Sequence, residues 1–262
     1  MTASTATRAS TATAPTGLDS PSPGAAADSF AALLLLADGR FPAGAHAHSG
    51  GLEAVVALEG MRDVTGMEAF LRGRVATAGR VAAAFAAAGC AAVHSCGGAQ
   101  AGSGSAASVL RVLDDELEAR TPSPALRAAS RRLGRQLLRC GLRVWPHSTL
   151  DELAAAAPRG PHQPVALGAV AAVAGLEPQA VAWAAVHDSV MVPATAAVRL
   201  LGLDPYSVYA VLARLGDQLD AVATAAAAQA HDAPADLPAW GAPLLDVSAE
   251  LHATWEVRLF AS

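Results

Sequence analysis

The sequence predicts an all-α protein: a single-domain multi-helix bundle with a disordered N-terminal tail and an extended C-terminal tail. Hydrophobic residues make up 53% of the 262 residues, many of them alanine, and only 4% are aromatic. Alanine has the highest helix propensity, whereas strands favour aromatic and β-branched residues. The sequence shows no alternating strand pattern of useful length and no repeat of about 20 to 50 residues. We therefore expect closely packed helices rather than a β-sandwich or barrel.

The charged residues exclude several functions. All 18 basic residues are arginine, so the chain contains no lysine to hold a nucleotide phosphate in a Walker A loop or to form a Schiff base. Any nucleotide hydrolysis would have to come from a partner. The net charge of −5 argues against nucleic-acid binding. Three irregularly spaced cysteines argue against a disulfide framework and for a reducing compartment, so we expect a cytoplasmic protein.

The two ends of the chain differ from its middle. Residues 1–27 consist of small and polar residues that bury too little surface to offset the entropy of ordering, which predicts a disordered tail before a helical domain at 28–262. The longest apolar segment, residues 75–93, is dominated by alanine and interrupted by Arg80. This pattern indicates a packed helix rather than a membrane span. No signal peptide is evident.

Capping residues, prolines and glycines divide the domain into helices. Asp28 and Ser29 precede the first helix, and turn signals fill residues 38–44. The predicted helices cover residues 28–37, 48–58, 65–93 with a kink near Gly79, 106–119, 124–141, 149 to the loop at 158–164, 165–174, 178–201, 205–228, and a short helix from 248.

Local chemistry fixes several of these ends. Ser123 followed by Pro124 is a helix start, with proline at the first helical position. Thr149, with Glu152 three residues later, has the form of a capping box. Pro193 lies inside an apolar helical pattern and should kink or split that helix.

Two histidines form the best candidate metal site. His46 and His48 are two residues apart, and in extended backbone their imidazoles would point the same way and could reach one nickel or zinc ion. The alternative is a pair of turn histidines that bond to the backbone or pack at an interface. Glu53 follows closely and would either brace the loop or join the metal shell.

Two other clusters allow more than one interpretation. Cys90, His94 and Cys96 could contribute zinc ligands, or the cysteines could be core residues of an alanine-rich helix. A basic ridge, consisting of Arg127, Arg131, Arg135 and Arg139, could dock an acidic partner or be a solvated face. The acidic residues Asp114 to Glu118 indicate a solvated helix end.

Residues 33–53 resemble the signature of the UreF family of urease accessory proteins, which reads roughly L-x-D-S-x-x-P-x-G-x-[FY]-x-H-S-x-G-L-E. The matching residues are Asp38, Pro42, Gly44, His48, Ser49, Gly51, Leu52 and Glu53. Three further stretches agree in order with the family: residues 130–135 with S-x-x-x-G-[RK], 197–200 with A-V-R-L, and His252 with 258–262 for the C-terminal H-E-x4-R-L-F-x-S.

The resemblance implies an all-α, usually dimeric protein without enzymatic activity. Members of the family join a UreD-type (UreH-type) accessory protein and a UreG-type GTPase on apo-urease and help to insert nickel. It implies Arg258, Leu259 and Phe260, with His252, as anchors for the UreD-type partner, and Arg199 as a contact for the GTPase. The resemblance also implies that residues 38–53 form a structured joint that orders two helices. It implies that nickel passes through the complex in transit and is not tightly bound. The alternative is a metalloenzyme or metal-storage protein unrelated to urease.

Several positions depart from the family pattern and indicate a divergent, actinobacterial-type member. Gly39 replaces serine, His46 stands where an aromatic residue is usual, Leu203 lies within a changed P-L-G-Q element, and Ala253 replaces glutamate. Because only His48 matches a family histidine, the two-histidine metal site loses support.

Overall fold

The computed structural model describes residues 26–97 and 105–260, and these residues form helices without any β-strand, which confirms the all-α prediction. The predicted tail lies outside the described residues except for Ala26 and Ala27, with which the first helix begins. The helices are α1 (Ala26–Ala37), α2 (Leu52–Glu59), α3 (Val64–Arg74), α4 (Arg80–Gly97), α5 (Ala106–Ala119), α6 (Pro124–Val144), α7 (Ser148–Ala156), α8 (Gln163–Val173), α9 (Pro178–Leu201), α10 (Pro205–Arg214), α11 (Gly216–Ala228) and α12 (Pro243–Ala253).

Helix α4 is the centre of the core, and α8 and α9 pack directly against it. Small residues bring α4 and α8 together: a Cβ atom added to Gly168 would lie 2.4 Å from the carbonyl oxygen of Ala86. The backbones therefore meet, as the alanine-rich composition predicts. Phe85 is the largest of the fully buried side chains.

Three predicted helix starts are wrong by a few residues. The second helix begins at Leu52 rather than near His48, because His48 is extended and the left-handed Gly51 precedes the first turn. The third begins after Asp63, whose carboxylate accepts a hydrogen bond from the Gly66 amide, rather than at Thr65. His147, not Thr149, caps α7 through its Nδ1 atom. In each case the N-cap is the residue directly before the helix: Gly51, Asp63 or His147.

Helix α9 does not split at Pro193. A proline inside a helix leaves the carbonyl four residues earlier without its usual donor. That carbonyl belongs to Ser189, and it accepts a hydrogen bond of 2.9 Å from Nε of Arg74. The bond from Arg74 replaces the missing helical one, so α9 runs unbroken from Pro178 to Leu201.

The predicted kink near Gly79 is a π-helical turn at Val75–Gly79, which joins α3 to α4. Gly79 packs closely there, since an added Cβ would lie 2.9 Å from Oγ of Ser189. The helix predicted at 205–228 is instead two helices, α10 and α11, which meet at the fully buried Leu215. The last helix starts at Pro243 rather than Ser248, again with proline in the first turn.

Two helical stretches, Val64–Cys96 and Pro178–Leu201, are long and apolar enough to cross a membrane. More than half of each apolar window is buried inside the protein, as is usual for the core helices of a soluble fold. Length and composition alone are therefore weak evidence for a membrane span here.

Candidate functional site

Residues 38–51 form a compact double turn that ends in α2. The Asp38 carboxylate accepts hydrogen bonds from the backbone and side chain of Arg40, and Gln136 of α6 donates to the Pro42 carbonyl. Gly44 and Gly51 adopt left-handed conformations, with φ of 85° and 89°, which favour glycine. These contacts order the segment that resembles the UreF signature.

Glu53 is the centre of the candidate site. Its buried carboxylate lies 2.9 Å from Nε2 of His252, and it accepts hydrogen bonds from the backbone amides of Leu259 at 2.8 Å and Phe260 at 3.0 Å. Its own amide donates to Oγ of Ser49 at 3.3 Å. One carboxylate on α2 thus holds the end of α12 and the C-terminal segment; we call this set of contacts the Glu53 clamp.

The predicted partner-binding residues divide into two groups. His252 and Phe260 are buried, and they fix the C-terminal segment against the domain. Leu259 is 75% exposed, and Arg258 and Arg199 also lie on the surface. The last two residues of the predicted tail, 261 and 262, lie outside the described residues.

An open depression, which we call the arginine pocket, lies beside the clamp. Its volume is about 720 Å³, and it is lined by His46, Ala47, Arg132, Arg199, Arg258, Leu259 and Phe260. The three arginines come from α6, α9 and the C-terminal segment, so distant parts of the sequence meet here.

A second cavity of about 250 Å³ lies between α12 and the helical core, and His48, Arg74, Asp188 and Trp240 are among its lining residues. Burial raises the pKa of the Asp188 carboxyl to about 6, although the positive charge of Arg74 acts in the opposite direction. His46 and His48 thus border different cavities, and His46 lies in the 3-10 turn Ala45–Ala47 rather than in extended backbone.

Potential metal ligands do not cluster within the described part of the chain, where no three His, Cys, Asp or Glu side chains are arranged to hold an ion. The Cys90 thiol donates a hydrogen bond to the Leu176 carbonyl at 3.1 Å, and burial, with a smaller contribution from Glu177, raises its pKa to about 12. A buried thiol of this kind stays protonated at neutral pH and is a poor zinc ligand. These contacts favour the core-cysteine interpretation.

The basic ridge is not one uniform surface. The Arg131 side chain is 12% exposed and bonds to Asp114 at 2.9 Å and to Glu118 at 2.6 Å, while Arg127 pairs with Glu118 at 3.1 Å. Arg135 and Arg139 are exposed. The prediction of a solvated acidic helix end was therefore wrong for Asp114, because the partner that neutralises it lies on a different helix.

Sequence reasoning missed the role of His162, which joins α5, α6 and α8. Its Nε2 lies 2.8 Å from Glu118 and its Nδ1 lies 3.0 Å from Oγ of Ser130. Burial lowers the pKa of His162, so the neutral ring donates to the carboxylate and accepts from the hydroxyl. The signal was present in the family element at 130–135, in which Ser130 is followed by Gly134.

Gly134 allows this junction to close. A Cβ atom there would lie 2.0 Å from the carbonyl oxygen of Pro161, so only glycine lets the loop before α8 lie on α6. The S-x-x-x-G element is thus a packing motif.

Comparison with known proteins agrees with the resemblance. The family model for UreF matches residues 61–216. The urease accessory protein UreF of Mycobacterium sp. (strain JLS) is 45% identical over 230 residues, which span 88% of this chain and 97% of that protein. The UreF proteins of Mycobacterium marinum and Mycobacterium tuberculosis (strain H37Rv) are 42% and 41% identical over 239 and 234 residues, in each case 89% of this chain and 99% of theirs. The chain therefore belongs to the UreF family of urease accessory proteins.

Proposed function

We propose that this protein is a cytoplasmic, non-enzymatic scaffold that joins a UreD-type protein and a UreG-type GTPase on apo-urease and so promotes nickel insertion. Family membership supports a role in urease maturation. The observation that carries the scaffold proposal is the Glu53 clamp, because it fixes the C-terminal segment with its backbone bonded inward and Leu259 turned outward.

The UreD-type partner is assigned to the outer face of α12 and the segment that follows it. Helix α12 is anchored through polar groups: Glu250 accepts from the Ala125 amide at 2.8 Å, and His252 bonds to Glu53. Leu245 and the buried Ala249 also pack on the domain, whereas the apolar side chains of Leu244, Val247 and Leu251 are exposed, as are Val257 and Leu259. An apolar stripe on the solvent side of a helix is typical of a surface that another protein covers.

The GTPase supplies the nucleotide chemistry in this proposal, because the chain has no lysine with which to build a Walker A site. Arg199, exposed in the last turn of α9, is its proposed contact. A homodimer within the complex is also proposed, and the exposed Phe30, Leu34 and Leu35 of α1 offer an apolar face for a second copy.

Nickel is proposed to pass through the assembled complex rather than to be held by this chain alone. His48 lines the 250 Å³ cavity, and any transient nickel contact is assigned to His48 together with groups from a partner.

The test is urease maturation in cells. Urease and its accessory proteins are co-expressed in nickel-containing medium with and without this chain, and both urease activity and nickel per urease active site are measured. We expect urease activity and nickel content both to fall at least about tenfold without the chain. Full urease activity without it would contradict the proposal. Pull-down of the UreD-type protein by the whole chain and by a variant lacking residues 258–262 tests the C-terminal anchors, with helix content measured as the control.

A further inference from the structure

The cavity between α12 and the helical core contains two opposite charges that do not bond to each other. Arg74, the last residue of α3, and Asp188, in α9, are partly buried and line this cavity. Arg74 donates through Nε to the carbonyl of Ser189, the residue after Asp188, at 2.9 Å. Within the described part of the chain, no hydrogen bond or ion pair engages the Asp188 carboxylate or the Nη atoms of Arg74. Both charged groups therefore remain open to the cavity.

Several other polar groups of the lining already have partners. The hydroxyl of Ser189 donates to the Val186 carbonyl at 2.6 Å, and the hydroxyl of Thr121 donates to the Leu117 carbonyl at 2.8 Å. A charge held away from water is costly unless it is paired and hydrogen-bonded. The open pair is therefore unfavourable until a molecule in the cavity bonds to both of its groups.

The two charges restrict the chemistry of such a molecule. Burial raises the pKa of Asp188 to about 6, so its carboxyl is ionised at neutral pH and opposes the charge of Arg74. Arg74 repels a cation and Asp188 repels an anion, which favours a neutral ligand. The guanidinium only donates hydrogen bonds and the carboxylate only accepts them, so the ligand needs both an acceptor and a donor. A carboxamide or urea group carries both on one planar unit.

The rest of the cavity suits an apolar body. Val81, Leu126 and Leu245 are among its lining residues. Trp240 also lines it, and the guanidinium of Arg80 lies 5.3 Å from the centroid of the indole ring. The volume of about 250 Å³ exceeds the roughly 150 Å³ of an apolar cavity that holds benzene. An aromatic ring with a carboxamide group therefore fits.

We propose that this cavity binds a small neutral molecule that carries a carboxamide or urea group and an apolar remainder. The carbonyl oxygen of the ligand accepts from the Nη atoms of Arg74, and an N–H group of the ligand donates to Asp188. The apolar part lies against Val81, Leu126 and Leu245. The inference goes beyond the proposed function, because the chain binds this ligand without any partner protein.

Benzamide is the probe, and its binding to the full-length chain is measured at pH 7 by isothermal titration calorimetry and by the shift of the thermal unfolding midpoint. We expect a Kd of about 1 mM or tighter, as is reasonable for so small a ligand in a preformed cavity. Acetophenone has the same shape but no N–H donor, and benzoate is an anion. Each should bind about tenfold more weakly than benzamide or not at all.

Two variants locate the bound probe. Asp188→Asn keeps the shape of the side chain and removes its charge. Because a charged acceptor bonds about twice as strongly as a neutral one, we expect binding to weaken about three- to tenfold. Val192→Phe places a ring in the cavity and should abolish binding. The matched controls, Asp232→Asn and Val112→Phe, lie at exposed positions outside the cavity and should bind benzamide as the unaltered chain does.

Three results would overturn the inference. The first is no binding of benzamide at concentrations up to about 10 mM. The second is equal affinity for benzamide and acetophenone, which would show an apolar cavity indifferent to the two charges. The third is unchanged binding in Asp188→Asn, which would place the probe away from that carboxylate. Should Val192→Phe fail to fold, Asp188→Asn still decides the outcome, because removing a buried charge should not unfold the chain.

Discussion

Oε2 of Glu53 lies 2.9 Å from Nε2 of His252, a residue 199 positions further along the chain. The contact joins α2 to α12, and the same carboxylate also accepts from the amides of Leu259 and Phe260. A buried carboxylate with three donors is well solvated by the protein, whereas the donors alone would be left without partners.

Replacing Glu53 should both destabilise the protein and free its C-terminal segment. Glu53→Ala leaves three donors unpaired, of which those of His252 and Phe260 are buried, and we expect the free energy of unfolding to fall by about 2–5 kcal/mol. Chemical denaturation measures this loss, and hydrogen exchange at residues 257–260 should become faster. Glu59→Ala, at an exposed position of the same helix, is the control and should change stability by less than about 0.5 kcal/mol. Unchanged exchange in Glu53→Ala would contradict the clamp.

Gly134 should not tolerate even a methyl group. The Cβ of Gly134→Ala would meet the Pro161 carbonyl at 2.0 Å, so the loop before α8 must move away from α6. We expect a loss of about 1–3 kcal/mol in thermal or chemical unfolding. Gly73→Ala is the comparison, because nothing lies within 4 Å of its added Cβ. That helical substitution should stabilise by about 0.5–1 kcal/mol, and a similar loss in both variants would argue against the close contact.

The stability of the fold should depend on Arg131 but not on Arg139, which lies on the same helix. Arg131→Met leaves the buried Asp114 and the partly exposed Glu118 without their shared cation, and we expect a loss of about 2–4 kcal/mol, somewhat below that for breaking a fully buried pair. Hydrogen bonds from Arg131 and His162 outweigh the burial of Glu118 and hold its pKa below the usual value. We therefore expect that pKa to rise in Arg131→Met, as a carboxyl NMR titration would show. Arg139→Met, exposed, should leave both quantities unchanged.

Asp188 should make the protein less stable as the pH rises. Its pKa is about 6 in the folded state, against an ordinary value of 3.8, so between these values the folded state binds more protons than the unfolded state. Stability then falls as pH rises toward 6, and the full penalty applies above it. Asp188→Asn removes the penalty and should stabilise the protein at pH 7 by up to about 3 kcal/mol. Urea unfolding at pH 4 and pH 7 measures this, with the exposed Asp232→Asn as control; a gain of equal size at both pH values would contradict it.

Much of the fold could be predicted from local sequence. The ends of α5 and α9 match the prediction because prolines, glycines and capping side chains act within a few residues of a helix end. The predictions that were wrong concern places where residues far apart in the sequence make contact. Helix α9 passes through Pro193 because Arg74, 115 residues before Ser189, donates to the free carbonyl. No local pattern contains that information.

The candidate site was predicted in outline but not in its contacts. The sequence predicts a structured joint at residues 38–53, and the structure describes a double turn there with left-handed Gly44 and Gly51. The partners of Glu53, however, lie about 200 residues away, and a lone glutamate after two glycines does not reveal them. Asp114 was similarly misassigned, since an acidic residue looks solvated until the helix that carries Arg131 is placed beside it.

The Glu53 clamp can close only late in synthesis, because its two ends lie 199 residues apart in the sequence. Glu53 leaves the ribosome long before His252, 199 residues later, and at about 5–20 residues per second the delay is about 10–40 seconds. During that time the helices can fold around a carboxylate that remains open to water or to a chaperone. The lining of the arginine pocket is completed only when the clamp closes, because Arg258 reaches the pocket on the C-terminal segment that the clamp holds.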